Sequence, residues 1–321
     1  MRVLVTGATG FLGGEIARRL AAQGHEVRGL GRDAGRGAWL AQAGVRFVPA
    51  DLRAADWPEL LRGVDGVVHA AARSTLWGRW ADFEADNIHP SRELARACAA
   101  GGLRLVHIST PSVYNATGHT RAVREDTPVG PRFDSLYARS KFLAEEAVRA
   151  ALPDATLLRP RGLYGVGDTS IVPRLARALQ TGRLPRLTRA EVWTDLTHVR
   201  NAAHAAELAL ARPAPGIYNV TDGQSLPLWA TLDRLADALG VPRPARFVPA
   251  RLLEGAAHLL EWSARLHPAR PEPPLTASGV RLLTRPMTLD LTRARERLGY
   301  APVVTPDEGL AEVLAALRGQ R

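Results

Sequence analysis

Thr-Gly-Ala-Thr-Gly-Phe-Leu-Gly, at residues 6–13, joins a Val-rich segment at 2–6 to an amphipathic helical pattern. Glycines spaced in this way between a strand and a helix are typical of the turn that holds the pyrophosphate of a dinucleotide. Gly7 permits the tight turn, Gly10 lets the backbone approach the phosphates, and Gly13 lets the helix pack closely on the strand. We therefore predict an α/β fold that starts with a dinucleotide-binding unit.

Short β-branched runs alternate with helical patterns through the first part of the chain, as in βαβ units. Predicted strands span residues 2–6, 26–30, 46–49, 66–70, 103–109, 156–159, 192–199 and 217–220. Predicted helices span residues 12–23, 92–100, about 135–151 and 200–211. This order predicts a doubly wound, parallel-sheet Rossmann core, with 217–220 returning to the sheet.

Short helical patterns separated by Pro-rich turns follow residue 225 and predict a smaller, mainly helical C-terminal lobe. We assign residues 1–165 to the dinucleotide-binding core, with 195–222 returning to it, and residues 166–194 and 223–321 to a substrate-binding lobe. Segment 251–266 is basic and strongly apolar. We favour a lobe helix that covers the substrate cleft, and a helix lying on a membrane surface is the alternative.

The composition is that of an ordinary globular chain, with 46% apolar and 23% charged residues. No run of about 18 uncharged apolar residues occurs, so we expect no membrane span. The first strand begins at once, which leaves no room for a signal peptide, and Cys98 alone forms no internal disulfide; we expect a cytoplasmic protein. The net charge of +10 comes from arginines scattered among acidic residues, so we expect no nucleic-acid partner.

Lys141 is the single lysine among 42 basic residues. It follows Tyr137 by four positions on a helical pattern, so the two side chains share a helix face. A phenol with a pKa near 10 is a poor acid–base group at neutral pH unless a cation stabilises its phenolate. An ammonium supplies such a cation, and a guanidinium does not replace it in a tight site. We predict that Tyr137 exchanges the proton, while Lys141 tunes it and binds the nicotinamide ribose.

The fifth predicted strand ends His-Ile-Ser-Thr-Pro-Ser-Val-Tyr at residues 107–114. Side chains at the carboxyl end of a central parallel strand face the ligand crevice. We expect Thr110 to hydrogen-bond the reacting oxygen of the substrate while hydride moves at the carbon.

The second predicted strand ends Gly-Leu-Gly-Arg at residues 29–32, without the carboxylate that takes the ribose hydroxyls of NAD. A guanidinium matches phosphate oxygens, so Arg32, with Arg36 nearby, favours NADP. Stacking of Arg32 on adenine is the alternative role, and NAD stays open because Asp33 could reach the ribose. Asp51 and Leu52, after the third strand, are placed to contact the adenine.

With these motifs the chain resembles an extended short-chain dehydrogenase/reductase over nearly all of its 321 residues. It is most similar to the 3β-hydroxysteroid dehydrogenase branch, which includes sterol-4-carboxylate 3-dehydrogenases and bacterial 2-alkyl-3-oxoalkanoate reductases. Besides the glycine turn and the Tyr/Lys pair, the segments that carry the resemblance are 67–71, 109–113, 158–165, 167–168, 172–173, 195–199, 201–204 and 272–276.

The resemblance implies further site residues. Asn87 occupies the position that supports the active site, although Pro90 departs from the usual residue and is expected to kink the helix there. Further cofactor contacts are assigned to Thr9, Phe11, Leu12, Ala70, Ala71, Ala72, Ser109, Pro160 and Gly162, and further substrate contacts to Pro111 and Ser112. No metal site is predicted.

The activity implied is an NADP-dependent interconversion of a secondary alcohol and a ketone on a hydrophobic substrate, such as a 3-oxo or 3-hydroxy acid or a sterol. Arg161 is expected to bind a substrate carboxylate, and pairing with Asp168 or Asp195 is the alternative. A nucleotide-sugar epimerase or reductase is the second interpretation of the function. The Pro111-Ser112 pair departs from the sequence pattern of the dehydratases, and Gly162 departs from that of the epimerases. A non-catalytic NADP sensor is the third interpretation. The oligomeric state stays open, a homodimer included.

Overall fold

Seven parallel strands form the central sheet of the computed structural model, which describes residues 1–319. Within these residues the strands are β1 (Arg2–Thr6), β2 (Glu26–Gly31), β3 (Arg46–Pro49), β4 (Gly66–His69), β5 (Arg104–Ile108), β6 (Thr156–Pro160), β7 (Leu163–Tyr164), β8 (Trp193–Thr194), β9 (Thr197–His198), β10 (Gly216–Val220) and β11 (Leu226–Pro227). The order across the large sheet is β10-β6-β5-β4-β1-β2-β3. The chain reverses direction across the sheet between β1 and β4, which is where doubly wound sheets open a ligand crevice.

Helices cover both faces of this sheet and form most of the C-terminal lobe. Within residues 1–319 the α-helices are α1 (Phe11–Ala22), α2 (Ala34–Gln42), α3 (Trp57–Leu60), α4 (Trp80–Phe83), α5 (His89–Gly101), α6 (Leu136–Ala151), α7 (Ile171–Gln180), α8 (Val199–Ala211), α9 (Leu228–Leu239), α10 (Ala250–Leu266), α11 (Ala277–Thr284) and α12 (Pro306–Arg318). The predicted doubly wound fold with a smaller helical lobe is confirmed.

The side chains of β1 point alternately to the two faces of the sheet, which explains why the apolar core has two layers. Val3 and Val5 point to the face that α1 and α8 cover, whereas Leu4 points to the opposite face, where α5 and α6 contribute Leu94 and Val148. A third apolar cluster surrounds the buried Trp229 in the lobe. The division into core and lobe at the residue numbers given above stays a prediction.

The predicted strand at 192–199 is wrong. The segment forms two separate two-residue strands, because β8 pairs with β11 and β9 pairs with β7. The β-branched residues that suggested one strand are buried, but the two halves of the segment pair with different strands. The strand predicted at 217–220 does return to the large sheet, where β10 pairs with β6.

Pro90 lies inside a continuous helical run from Trp80 to Gly101, as expected. It comes directly after a π-helical turn at Glu84–Ile88, and the backbone stays helical through Ile88 and His89. A proline in a helix interior removes a backbone hydrogen bond, and prolines and π turns are the usual places where a helix is distorted. The same π turn carries Asn87.

Within the described residues, no helix combines the length and apolar character needed to cross a membrane. Segment 251–266 is helical as predicted, since α10 covers it.

Candidate active site

The glycine turn between β1 and α1 is packed so tightly that side chains are excluded from it. Gly7 has φ +68°, and a Cβ there would lie 2.8 Å from the backbone of Ala71. A Cβ on Gly13 would lie 2.2 Å from the carbonyl oxygen of Gly7. The amide of Gly10 donates to that same oxygen at 2.8 Å, and no side chain caps the start of α1. The turn therefore presents an uncapped helix N-terminus to the crevice, which suits the pyrophosphate of a dinucleotide.

The loop after β4 closes one side of this turn. Ala70 and Ala71 are half-buried there and Ala72 is exposed, and the Ala71 amide donates to Thr6 Oγ1 at 3.2 Å. On the other side, a Cβ on Gly165 would lie 3.4 Å from the Phe11 ring. Leu12 lies in the core behind the turn.

The end of β2 leaves no space for the carboxylate found in many NAD-binding folds. A Cβ on Gly31 would lie 2.5 Å from Thr9 Oγ1. Arg32 is exposed, and no hydrogen bond or ion pair joins its side chain to another group in residues 1–319. Arg36 instead donates to the carbonyl of Thr9 at 3.1 Å and lies 3.7 Å from Asp33.

The acidic residues beside this end of the sheet act as helix caps. Asp33 accepts from the Arg36 amide at 3.1 Å at the start of α2. Asp51 accepts from the Arg53 amide at 3.1 Å, at the start of a short 3₁₀ turn that contains the half-buried Leu52. These caps use the carboxylates locally and leave Arg32 as the charged group that extends from the end of β2.

Helix α6 brings Tyr137 and Lys141 to the carboxyl end of β5. Ser135 caps the helix by accepting from the Ala138 amide at 3.1 Å, which fixes Tyr137 in the first turn and Lys141 one turn later. Lys141 Nζ donates to the carbonyl oxygen of Ile108 at 2.7 Å, and its side chain is buried. Tyr137 is half-buried.

Burial is the largest cause of the pKa shifts in this region. It lowers the pKa of Lys141 to about 8, against the pull of Glu145, and raises the pKa of Tyr137, while a hydrogen bond with Thr110 acts to lower it. Burial, helped by the Lys141 charge, lowers the pKa of His69 to about 3 and that of His107 well below its ordinary value. Both imidazoles are therefore neutral near pH 7, and the Lys141 ammonium is the charged member of this group of three.

Thr110 begins a 3₁₀ turn (Pro111–Tyr114) directly after β5. Its Oγ1 accepts from the Ser112 amide at 3.2 Å and lies 3.1 Å from Ser112 Oγ, so the two hydroxyls are adjacent. Pro111 is buried in this turn. The hydrogen bond between Thr110 and Tyr137 brings the two side chains together.

Asn87 supports α6 without touching Tyr137 or Lys141 through its side chain. Its Nδ2 donates to Ser140 Oγ at 2.8 Å and to the Arg73 carbonyl at 3.2 Å, while its Oδ1 accepts from the Arg73 amide at 2.7 Å. Ser140 in turn donates to the Tyr137 carbonyl at 2.8 Å. Asn87 thus connects the loop after β4 to the helix that carries the Tyr/Lys pair.

A buried ion pair, which was not predicted from the sequence, lies behind the site. Arg159 Nε donates to Glu145 Oε1 at 2.8 Å, and a second, shorter contact joins their other atoms. Both side chains are at most 2% exposed. Ser109 donates to Glu145, so its hydroxyl faces this pair and not the crevice. Glu145 stands four residues after Lys141 on α6, but no local spacing indicates its pairing with Arg159, which lies on β6.

Arg161 and Gly162 follow β6, after the buried Pro160. The Arg161 amide donates to Thr197 Oγ1 at 2.9 Å, and its Nη2 donates to Thr194 Oγ1 at 3.2 Å. Gly162 has φ +52°, and a Cβ there would lie 2.7 Å from Leu196.

The guanidinium of Arg161 is buried without an acid in direct contact. In residues 1–319 no carboxylate lies within ion-pair distance of it and Nε has no hydrogen-bond partner. Burial lowers its pKa to about 10, and the charge of Asp195 only partly opposes this. Asp168 is no partner, because its oxygens accept from the amides of Ser170, Ile171 and Val172.

A small cavity of about 20 Å³ opens beside Arg161. Its lining includes Arg281 and Arg285 from the lobe, with Asp134 from the loop before α6 and Met287. Arg281 is ion-paired with Asp134. Three guanidiniums against one carboxylate give the lining of this cavity a net positive charge.

Several known proteins are similar to this chain. The model of the NAD dependent epimerase/dehydratase family matches residues 3–221. The chain is 36% identical over 333 residues to the uncharacterised protein YbjS of Escherichia coli (strain K12), covering 99% of this chain and 98% of YbjS. It is 35% identical over 332 residues to the 2-alkyl-3-oxoalkanoate reductase of Stenotrophomonas maltophilia (strain K279a), covering 98% of this chain and 99% of the reductase.

The solved structure of UDP-glucuronic acid 4-epimerase from Bacillus cereus, in complex with NAD, superposes with a TM-score of 0.76. It is 22% identical, and the superposition covers 99% of each chain. At this identity the likeness establishes the shared fold alone.

Proposed function

Because the chain belongs to the NAD-dependent epimerase/dehydratase family, we propose that it is an NADP-dependent oxidoreductase that interconverts a secondary alcohol and a ketone on a hydrophobic substrate. The membership confirms the predicted resemblance to extended short-chain dehydrogenases/reductases. The observation that carries the proposal is the burial of Lys141 one helical turn from Tyr137, with Thr110 beside the phenol.

The glycine turn supports binding of a dinucleotide, since side chains are excluded from Gly7 and Gly13 and the start of α1 is uncapped. In the proposal, the amides at the start of α1 hold the pyrophosphate, and Lys141 holds the nicotinamide ribose with the ammonium hydrogens not used by Ile108. A bound nicotinamide dinucleotide would supply or accept the hydride.

Proton transfer is assigned to Tyr137. During ketone reduction its hydroxyl donates to the substrate oxygen, and during alcohol oxidation its phenolate accepts that proton. Burial disfavours the phenolate, so the cost of forming it must be offset by a nearby positive charge. In the proposal, Lys141 provides that charge, and Thr110 holds the substrate oxygen beside the phenol.

NADP is the proposed form of the cofactor. Gly31 stands where an acid would contact the ribose of NAD, and the Thr9 side chain fills the space beside it. Arg32 extends from the strand end as an exposed guanidinium, which suits a 2′-phosphate.

The substrate is proposed to carry a carboxylate, as a 3-oxo or 3-hydroxy acid does. Three arginines line the cavity. Arg161 is the buried one, and Arg281 and Arg285 line the cavity on the side of the lobe. The relative named 2-alkyl-3-oxoalkanoate reductase is consistent with such a substrate.

Replacing Tyr137 by Phe tests the catalytic assignment. We expect kcat to fall by at least about 100-fold, while NADPH still binds with nearly unchanged Kd, since the phenol hydroxyl acts in proton transfer. Turnover near the wild-type rate would refute the assignment. A screen that crosses NADH and NADPH with β-keto acids, ketosteroids and sugar nucleotides separates the proposed reductase from an epimerase.

Arg161→Ala tests the carboxylate. We expect kcat/KM for a 3-oxo acid to fall by at least about tenfold, as for loss of a charged hydrogen bond, with little change for its methyl ester. An equal loss for acid and ester would show that Arg161 acts only on the fold.

A further inference from the structure

Helix α10 carries a continuous apolar stripe that no other part of residues 1–319 covers. Leu252, Leu259, Trp262 and Leu266 are 67%, 70%, 62% and 65% exposed, respectively. Their spacings of seven, three and four residues place them on one face of the helix. Four large apolar side chains this exposed on one helix face form a contact surface and not scattered surface residues.

One edge of this stripe is basic. Arg251, His258 and Arg265 repeat at intervals of seven residues, and all three are exposed. The two acids of the helix lie between this edge and α11: Glu261 accepts from the Ala277 amide at 2.9 Å and lies 3.8 Å from both His258 and Arg265. Glu254 lies 3.9 Å from Arg281 of α11. Glu261 is 14% and Glu254 24% exposed, whereas Arg265 is 65% exposed, so the solvent face of α10 is apolar with a positively charged edge.

We propose that α10 docks this protein onto a lipid bilayer whose surface carries anionic headgroups. An apolar helix face with Trp and Leu, bordered by arginines, is suited to lie in the interface between headgroups and acyl chains. The net charge of +10 attracts the whole molecule to a negative surface. A second copy of the chain fits less well, because it would bring a second basic edge and a second charge of +10 to the same contact.

The position of the helix relative to the candidate active site gives the docking a consequence. Ser278 of α11 donates to the Asp134 carbonyl at 2.6 Å, and Arg281 of α11 pairs with the Asp134 side chain. Asp134 and Arg281 both line the cavity beside Arg161. Docking through α10 would thus hold the cavity close to the membrane, where apolar molecules partition. The docking itself goes beyond the proposed reaction and does not depend on it.

Vesicle flotation of the full-length protein tests the proposal. We expect the protein to float with vesicles of equimolar phosphatidylcholine and phosphatidylglycerol, to bind pure phosphatidylcholine more weakly, and to be released at about 1 M salt, where charge attraction is screened. Absence of binding to the anionic vesicles at low salt would overturn the proposal.

Two exposed apolar residues provide the first variant. The double substitution L259Q/W262Q should weaken vesicle binding by at least about tenfold, because it removes half of the large apolar side chains of the stripe. The matched control W39Q/V303Q removes a Trp and an aliphatic residue that are 51% and 49% exposed and lie away from α10. Equal loss in both variants would show that the stripe has no special role.

The basic edge provides the second variant. R251Q/R265Q should weaken binding to the anionic vesicles by about fivefold for each arginine, whereas R62Q/R96Q, which removes two exposed arginines elsewhere, should have a smaller effect. Sedimentation velocity checks the competing occupant. A dimer that L259Q/W262Q dissociates, with no vesicle binding by the wild type, would assign the stripe to a second copy and overturn the lipid proposal.

Discussion

The ammonium nitrogen of Lys141 lies 2.7 Å from the carbonyl oxygen of Ile108, the last residue of β5. This contact joins the helix that carries Tyr137 to the strand whose next residues are Ser109 and Thr110. It also fixes Lys141 at a depth where its side chain is 2% exposed. The geometry of the proton-transfer site therefore depends on the shape of a lysine as well as on its charge.

Lys141→Arg should be nearly as damaging as removal of the charge. A guanidinium is wider than an ammonium and does not fit between the Ile108 carbonyl and His107, whose Nε2 lies 3.4 Å from Nζ. We expect kcat to fall by at least about 100-fold in steady-state assays. The control is Arg139→Lys on the exposed side of the same helix, which should keep its activity. Full activity of Lys141→Arg would show that the chain's one lysine has no special role.

Lys141→Met should abolish turnover and yet stabilise the fold. Burial lowers the pKa of Lys141 from 10.5 to about 8, so the unfolded chain binds the proton more tightly than the folded one. The resulting penalty is complete below pH 8 and disappears as the pH rises to 10.5. We expect Lys141→Met to raise the free energy of unfolding by about 1–3 kcal/mol at pH 7.

Urea unfolding of the wild type and Lys141→Met, repeated from pH 7 to above pH 10, measures this difference. The gain should shrink between pH 8 and 10.5. A variant that is less stable than the wild type at pH 7 would mean that Lys141 contributes more to the fold through Ile108 and Glu145 than its burial costs.

Asn87→Ala should reduce both stability and rate. The buried amide makes hydrogen bonds to Ser140 Oγ and to both the amide and the carbonyl of Arg73. Leaving these groups unpaired should cost about 2–3 kcal/mol of unfolding free energy.

A double-mutant cycle with Ser140→Ala isolates the contact between Asn87 and α6. Residues in direct contact normally show a coupling energy of at least about 0.5 kcal/mol, and we expect such a value in both the unfolding and the kcat measurements. Additive effects would place the role of Asn87 in the Arg73 loop alone.

Gly13→Ala should disrupt the cofactor turn. The new methyl group would lie 2.2 Å from the backbone oxygen of Gly7, and this backbone has no room to move without shifting the turn. We expect a loss of more than about 2 kcal/mol in unfolding free energy, or weaker NADPH binding by at least about tenfold. The control is Gly255→Ala in α10, where no atom lies within 4 Å, and there we expect a gain of up to about 1 kcal/mol.

Arg32→Ser should change the preference between cofactors. Loss of the exposed guanidinium should raise KM for NADPH by at least about tenfold and leave KM for NADH within about twofold. Arg36→Ser is the matched control, because Arg36 is already engaged by the Thr9 carbonyl and Asp33 and should contribute less. Equal effects on both cofactors would assign Arg32 to stacking on adenine.

Several elements behind the site were not predictable from sequence patterns. Glu145 and Arg159 pair across α6 and β6 inside the core, where a sequence pattern predicts apolar residues. The segment 192–199 has the composition of one strand, but its halves pair with different partners. In each case the deciding contact joins positions far apart in the chain, and local patterns carry no information about it.

The sequence by itself determined the doubly wound fold, the glycine turn and the Tyr137/Lys141 pair, because each depends on residues a few positions apart on one strand, turn or helix. Only the tertiary structure decided what surrounds them: Ile108 and the neutral histidines around Lys141, Asn87 against Ser140, and the lobe arginines 281 and 285 across the cavity from Arg161. The physical reason is that burial and long-range contact set the charge state and position of these groups, and both arise only when the sheet, α6 and the lobe pack together.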